Sequence, residues 1–317
     1  MTNYIVYRIS ILNNRKEKQI LNYFNGSEDL LNICNDYYVS LKEEKVTYFD
    51  NSGNKRTFSI TSKIVRNDKE RLLVTHFDSA YTGKEIDIRD GNSNLLNYAV
   101  GKDELQSRKL FSHAYFPANA KYAYIVFENK SNLGVKVIFE QELQKFLNRS
   151  GFTEYRVKLE PALNFHYLSN MLDKGKLKKI RLINYLQSND IQLSLWKRIC
   201  PNTKDQKVEE FKFSNKTEND LIKFELSKLF FSQLNVDEKI FFMSKYEVDE
   251  ISFEINYKGA SKTFYLKNKN GMRANIDVSN RLKYLGGEPT YESMKDVSLD
   301  LIYETIGYGL SSFDNVA

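Results

Sequence analysis

The sequence predicts an α+β protein: mixed, largely antiparallel sheets with helices, arranged as two closely packed domains. Paired runs of β-branched and aromatic residues alternate with stretches of helical spacing, and no βαβ period recurs. At 41% hydrophobic and 14% aromatic residues, 317 residues hold enough apolar side chain for one large or two ordinary cores. A soft boundary at NRSGF, residues 148–152, would divide an N-terminal domain (1–150) from a C-terminal domain (151–317) that carries a basic segment.

Taken in order, Tyr4 to Leu12 reads as a strand. Ser27 then offers an N-cap, with Glu28 and Asp29 in the first turn and Leu30, Cys34, Tyr37 and Leu41 at helical spacing. VTYFDNSGNKRTFSI (46–60) sets two strand-like arms around an Asn-Ser-Gly-Asn turn. A second hairpin is expected in YAYIVFENKSNLGVKVIFE (122–140) and a third in ISFEINYKGASKTFYL (251–266). Helices are expected from near Glu140, from Pro161 as a first helical residue, from Thr217 with Asp220 as a capping box, and from near Thr290. The Pro161 helix would use Leu163, Tyr167, Leu168 and Met171; the last would use Met294, Val297, Leu301 and Ile302.

The opening MTNYIVYRISILNN puts Arg8 inside its apolar run, unlike a signal peptide, and charges interrupt every run that could span a membrane. Cys34 and Cys200 stand far apart, without Cys or His at metal-ligand spacing; this fits a reducing cytoplasm and no bound cofactor. The nucleotide, zinc-protease, hydrolase and calcium motifs with fixed spacing are absent.

Two nuclease-like patterns remain. Arg108 and His113 have the R-x4-H spacing of ribonucleases that hold the pair on a long helix, but Pro117 and strand-like flanks surround them here. Asp103 with Glu128-Asn129-Lys130 has the loose form of a metal-dependent nuclease in which two carboxylates hold a divalent ion and lysine positions water. A hairpin turn accounts for Glu128 to Lys130 equally simply. The acidic residues Asp78, Glu85, Asp87 and Asp90 lack a ligand spacing and read as a solvated strand and turn.

The abundance of Asn, Lys, Ile, Tyr and Phe is the usage of an AT-rich genome, so the distribution of lysine says more than its number. Residues 145–200 carry eleven basic and four acidic side chains, a net +7 against +6 for the whole chain. If Lys178 to Tyr185 is a strand, Ile180 and Leu182 share one face and Lys179 and Arg181 the other, so burying the first presents the second to solvent. Lys174 and Lys176 precede this strand, and Trp196, Lys197 and Arg198 follow it. Such a row suits phosphates and would give affinity with little sequence information. A solvated, lysine-rich face is the other reading of the same residues.

In the order and style of these segments the chain resembles the RexA exclusion proteins of temperate phages. The resemblance runs from the N-terminal strand and helix through VTYFDNSGNKRTFSI, YAYIVFENKSNLGVKVIFEQELQKFL, YRVKLEPALNFHYLSNMLDKGKLKKIRL and EISFEINYKGASKTFYLKNKNGMRANIDV to a closing helix. It implies a two-domain, non-enzymatic, homodimeric protein that binds double-stranded DNA and acts with a separate membrane-embedded partner to abort phage growth. No functional residue carries over by motif. The candidate DNA contacts Lys174, Lys176, Lys178, Lys179, Arg181, Lys197 and Arg198 therefore come from charge and alternation in this sequence. The competing expectation is a metal-dependent nuclease or ribonuclease toxin of an abortive-infection system.

Overall fold

The computed structural model describes residues 2–49, 53–130, 134–162, 165–185, 206–213, 220–232, 234, 238–257, 260–267 and 275–313. Its mixture of helices and antiparallel sheets is an α+β fold. Two compact units emerge, one of residues 1–162 with 274–317 and the other of residues 163–273.

In the first unit, β1 (Asn3–Leu12) leads to α1 (Leu30–Glu43), then β2 (Val46–Phe49), β3 (Lys55–Ser59), β4 (Val65–Asn67) and β5 (Leu72–Tyr81). A separate ribbon, β6 (Ile86–Arg89) and β7 (Leu96–Val100), precedes β8 (Gln106–Tyr115), β9 (Ala123–Asn129), α2 (Lys136–Arg149) and β10 (Arg156–Pro161). The main sheet runs β10-β1-β9-β8-β5-β3-β2, with all its pairings antiparallel and β4 added beside β5.

One face of this sheet packs on α1 and α2. Ile5, Tyr7 and Ile9 of β1, Phe77 of β5 and Phe127 of β9 meet Tyr37, Tyr38 and Phe139 there in a core of edge-to-face rings. The α1 cap is Asp29 rather than Ser27. Its carboxylate accepts the Leu31 N–H at 2.9 Å and pairs with Arg71, a bidentate contact that a serine could not make.

The expected hairpin over 122–140 is instead β9 followed by helix α2. Val135, Ile138, Phe139, Leu143 and Leu147 repeat at three and four residues, which buries a helical stripe and not alternate residues. Pro161 likewise closes β10 and does not open a helix, its partner being Tyr7 across the β1 ladder.

The division of the chain differs from the one expected at residue 150. There α2 simply ends, at Ser150 and Gly151, the latter at φ +93, a backbone conformation that side chains with a Cβ rarely adopt. Phe152, Val157 and Leu159 then continue the first core. The chain also returns to the first unit after residue 274. There β17 (Ile276–Asp277) pairs with β1, β18 (Tyr284–Leu285) pairs with β19 (Glu288–Pro289), and α5 (Tyr291–Phe313) lies on the second face of the main sheet. Met294, Val297, Leu301 and Ile302 are buried beneath α5, as their spacing predicts.

The second unit holds α3 (Phe165–Lys174), β11 (Lys176–Tyr185), β12 (Gln206–Lys212), α4 (Asp220–Phe231), β13 (Ile240–Phe242), β14 (Tyr246–Val248), β15 (Glu250–Tyr257) and β16 (Ala260–Tyr265). Its sheet is ordered β12-β11-β15-β16, with β13 and β14 forming a separate hairpin. Leu168, Met171 and Leu172 of α3 and Leu226 and Phe230 of α4 join Ile180, Leu182, Ile251, Phe253, Ile255 and Phe264 in the core on one side of the sheet. Thr217, the expected start of α4, lies outside the described residues.

Candidate nucleic-acid interface

The turn from α3 into β11 sets the geometry of the basic strand. Gly175 fills it because a Cβ there would stand 2.3 Å from Ile255 Cγ2 and 2.4 Å from the Met171 carbonyl oxygen. Lys223 of α4 donates to the carbonyls of Asp173 and Gly175 at 3.0 and 3.2 Å, capping the end of α3.

One residue into β11 the register with β15 shifts between Leu177 and Lys179, making Lys178 the extra residue of a β-bulge. The bulge has two consequences. Leu177 and Ile180, three residues apart, both enter the core, whereas unbroken alternation would separate them. Lys176, opposite Asn256, and Lys179, opposite Glu254, meanwhile share the outer face.

On that face Lys179 and Arg181 of β11 stand opposite Lys212 and Glu210 of β12. Arg181 Nε donates to Glu210 Oε2 at 2.6 Å, while Lys179 and Lys212 approach Oε1 at 3.7 and 3.5 Å. The Arg181 hydrogen bond, with both lysines nearby, holds the Glu210 carboxyl below its ordinary pKa. Glu210 thus gathers three cations, and a second carboxylate, Glu254, stands opposite Lys179 on the same face. On this face Lys176 and Lys212 are exposed, whereas Ile183, Ser252 and Glu250 farther along it are buried and Val208 and Tyr185 are again exposed. Glu250 is structural, its Oε1 accepting the N–H groups of Ile251, Leu266 and Lys267.

The structure therefore brings Lys176, Lys179 and Arg181 to one side of a strand and leaves Lys174 exposed just before the turn. Lys178 occupies the bulge, half-buried. Lys197 and Arg198, with Trp196, lie outside the described residues. Sequence reasoning missed Lys212 and Glu210, which reach the site from 29 or more residues away by strand pairing. The charge-rich run QKVEEFK at 206–212, with Val208 and Phe211 among its charges, was the available signal.

The nuclease-like patterns fall apart in three dimensions. Arg108 and His113 both lie on β8, five residues apart, so they point to opposite faces of the sheet and stand about 17 Å apart along the strand. Glu128 is buried, accepts the Phe111 N–H at 3.0 Å and pairs with Lys130 at 3.0 Å; Asp103 lies in the exposed segment before β8. The four acidic residues have separate structural partners. Asp78 accepts from Thr61, Glu85 pairs with Lys102, Asp87 pairs with Arg89, and Asp90 caps its own turn. Among the described residues no three His, Cys, Asp or Glu side chains are grouped to hold a metal ion, and no helix is long and apolar enough to cross a membrane.

His113 is wholly buried. Ser298 Oγ donates to the Lys295 carbonyl and so accepts from His113 Nδ1 at 2.6 Å, which leaves the buried Nε2 as an acceptor without a partner among the described residues. Burial lowers the imidazole pKa to about 4. This group fastens α5 to the sheet and is remote in role from acid–base chemistry at neutral pH.

Comparison with known proteins finds no matching family model and no matching curated protein.

Proposed function

We propose that the protein binds duplex DNA without sequence preference through the exposed cationic end of the β11–β12 face, as a non-enzymatic sensor or effector in phage defence. The observation that carries this reading is the arrangement of Lys176, Lys179, Arg181 and Lys212 on one side of two paired strands, with Lys174 beside them. Alternate residues of a strand advance about 6.8 Å, twice the roughly 3.4 Å axial spacing of phosphates along one DNA strand. Cations of this kind meet phosphate oxygens and carry no means of reading bases. A homodimer would present the face twice, which suits a two-ended contact with a duplex. The role in phage exclusion, and the separate membrane-embedded partner that goes with it, rest on the resemblance to RexA proteins.

The test is a duplex-DNA titration across salt concentration, with Mg2+ present and absent. Four to five phosphate contacts per protomer predict a log–log slope of about −4, and unrelated sequences of equal length should bind equally. Binding that is absent at low salt, or flat with salt, contradicts the proposal. Metal-dependent cleavage that is lost in Glu128→Ala would establish the nuclease reading in its place.

A further inference from the structure

The cross-strand pattern that builds the cationic face of the second unit recurs in the first. β10 is an edge strand of the main sheet, and its burial alternates: Val157 and Leu159 sit in the core, while Arg156 and Lys158 are exposed on the other side. Glu160 follows them on that side and stands opposite Arg8 of β1, as Glu210 stands opposite Arg181. Arg8 Nε donates to Glu160 Oε2 at 3.2 Å, and Lys158 Nζ lies 2.6 Å from Oε1. In both units, then, one carboxylate takes an arginine on one oxygen and lysine on the other.

Arg8 is held from a second direction. Its guanidinium lies 5.1 Å from the centre of the Tyr122 ring, and Lys18 Nζ lies 4.9 Å from the same centre and donates to the Tyr122 hydroxyl. Lys18 is brought there by an antiparallel bridge to Leu12, which on the β10 ladder stands opposite Arg156. Exposed Lys18, Arg156 and Lys158 therefore gather around the end of β1. The loops at this end add Arg15, Lys16 and Lys121, exposed and without an ion pair among the described residues, against the carboxylates Glu17 and Glu154. Cations outnumber carboxylates here.

We infer that this end of the main sheet is a second duplex-DNA contact, separate from the β11–β12 face, so that one chain carries two phosphate-binding surfaces. The inference rests on the reading of the protein as a duplex-DNA binder. The duplex backbone is the occupant that the chemistry fits. Arg156 and Lys158, two residues apart on a strand, advance about 6.8 Å, the same match to phosphate spacing as on β11. Tyr122 already engages Arg8 and Lys18, so its ring positions cations instead of serving as a platform for an unpaired base. With three exposed cations around β1 against four to five on the β11–β12 face, this surface is the weaker of the two and fills second.

The experiment is a titration of the full chain with a duplex of about 12 base pairs across salt concentration, carried to saturation, with folding checked by thermal melting. Wild type should show two classes of binding, the weaker with a log–log slope of about −3. Arg156→Gln with Lys158→Gln should leave the tighter class unchanged, weaken the other at least tenfold and remove about two units of its slope. If that pair does not fold, Lys18→Gln, in a loop, should take about one unit from the same class. Lys179→Glu with Arg181→Glu should retain the weaker class alone. A single class in wild type, a folded Arg156→Gln/Lys158→Gln that binds as wild type does, or the absence of all binding in Lys179→Glu/Arg181→Glu at low salt overturns the inference and leaves the β11–β12 face standing. Loss of binding only in the Arg156 and Lys158 variant, with Lys179→Glu/Arg181→Glu unaffected, supports this surface and refutes the other.

Discussion

The two sheets treat charge in opposite ways. The main sheet of the first unit is covered on both faces over its middle strands, and β5 is buried over nearly its whole length, so polar groups there become structural fastenings. Glu128 is spent on a backbone N–H and Lys130, Asp78 on Thr61, and His113 on Ser298. On β11 burial alternates from Lys179 to Leu182, and Lys176, Lys179 and Arg181 gather on the outer face. A titratable side chain is available to a partner on the second sheet and to the fold in the middle of the first. The difference explains why nuclease-like residue types on β8 and β9 build no site.

The largest effect expected from this contrast is on stability. His113 binds a proton in the unfolded chain near the ordinary pKa of 6.5 but in the folded chain only at about 4. The stability tied to its neutral form is complete above about pH 6.5, declines as pH falls toward about 4 and levels off below, a loss of up to ~3 kcal/mol. Half-buried His76, whose pKa burial also lowers, adds in the same direction. Urea denaturation at pH 7.5 and pH 5 should show a smaller pH difference for His113→Gln than for wild type. An identical difference in the two proteins would place the pH sensitivity elsewhere.

A smaller effect sharpens the other half of the comparison. Glu210 orders Arg181 but also cancels charge where a phosphate would sit. Glu210→Gln should therefore tighten DNA binding severalfold at low salt and steepen the salt slope by roughly one unit. Weaker binding would mean that Glu210 contributes more by positioning its three neighbours than it costs by neutralising them.

Local patterns were legible where one strand or helix decides its own burial. The stripe of Leu30, Cys34, Tyr37 and Leu41, the hairpins at 46–60 and 251–266, and the burial of Ile180 and Leu182 follow directly from periodicity. What could not be read depended on partners distant in sequence. The bulge at Lys178 is visible only against β15, and the Glu210 contact only through β12. The basic run at 145–200 looks continuous in the chain, but Lys145, Arg149, Arg156 and Lys158 belong to the first unit, where Lys145 pairs with Glu142 and Lys158 with Glu160. Summed charge along a sequence overstates a patch that the fold divides.

The most direct test of the central claim is one salt titration of duplex DNA with wild type, Lys179→Gln/Arg181→Gln and Lys179→Glu/Arg181→Glu, each checked by thermal melting. Because Ile180 and Leu182 face the core and the substituted residues do not, the glutamine pair should melt within a few degrees of wild type, and the glutamate pair somewhat lower because it sets like charges opposite Glu210 and Glu254, while all three remain folded at the temperature of the titration. The glutamine pair should lose about two units of salt slope and at least tenfold in affinity at low salt, and the glutamate pair more. Folded variants that bind DNA as wild type does would contradict the account and leave this face a solvated surface.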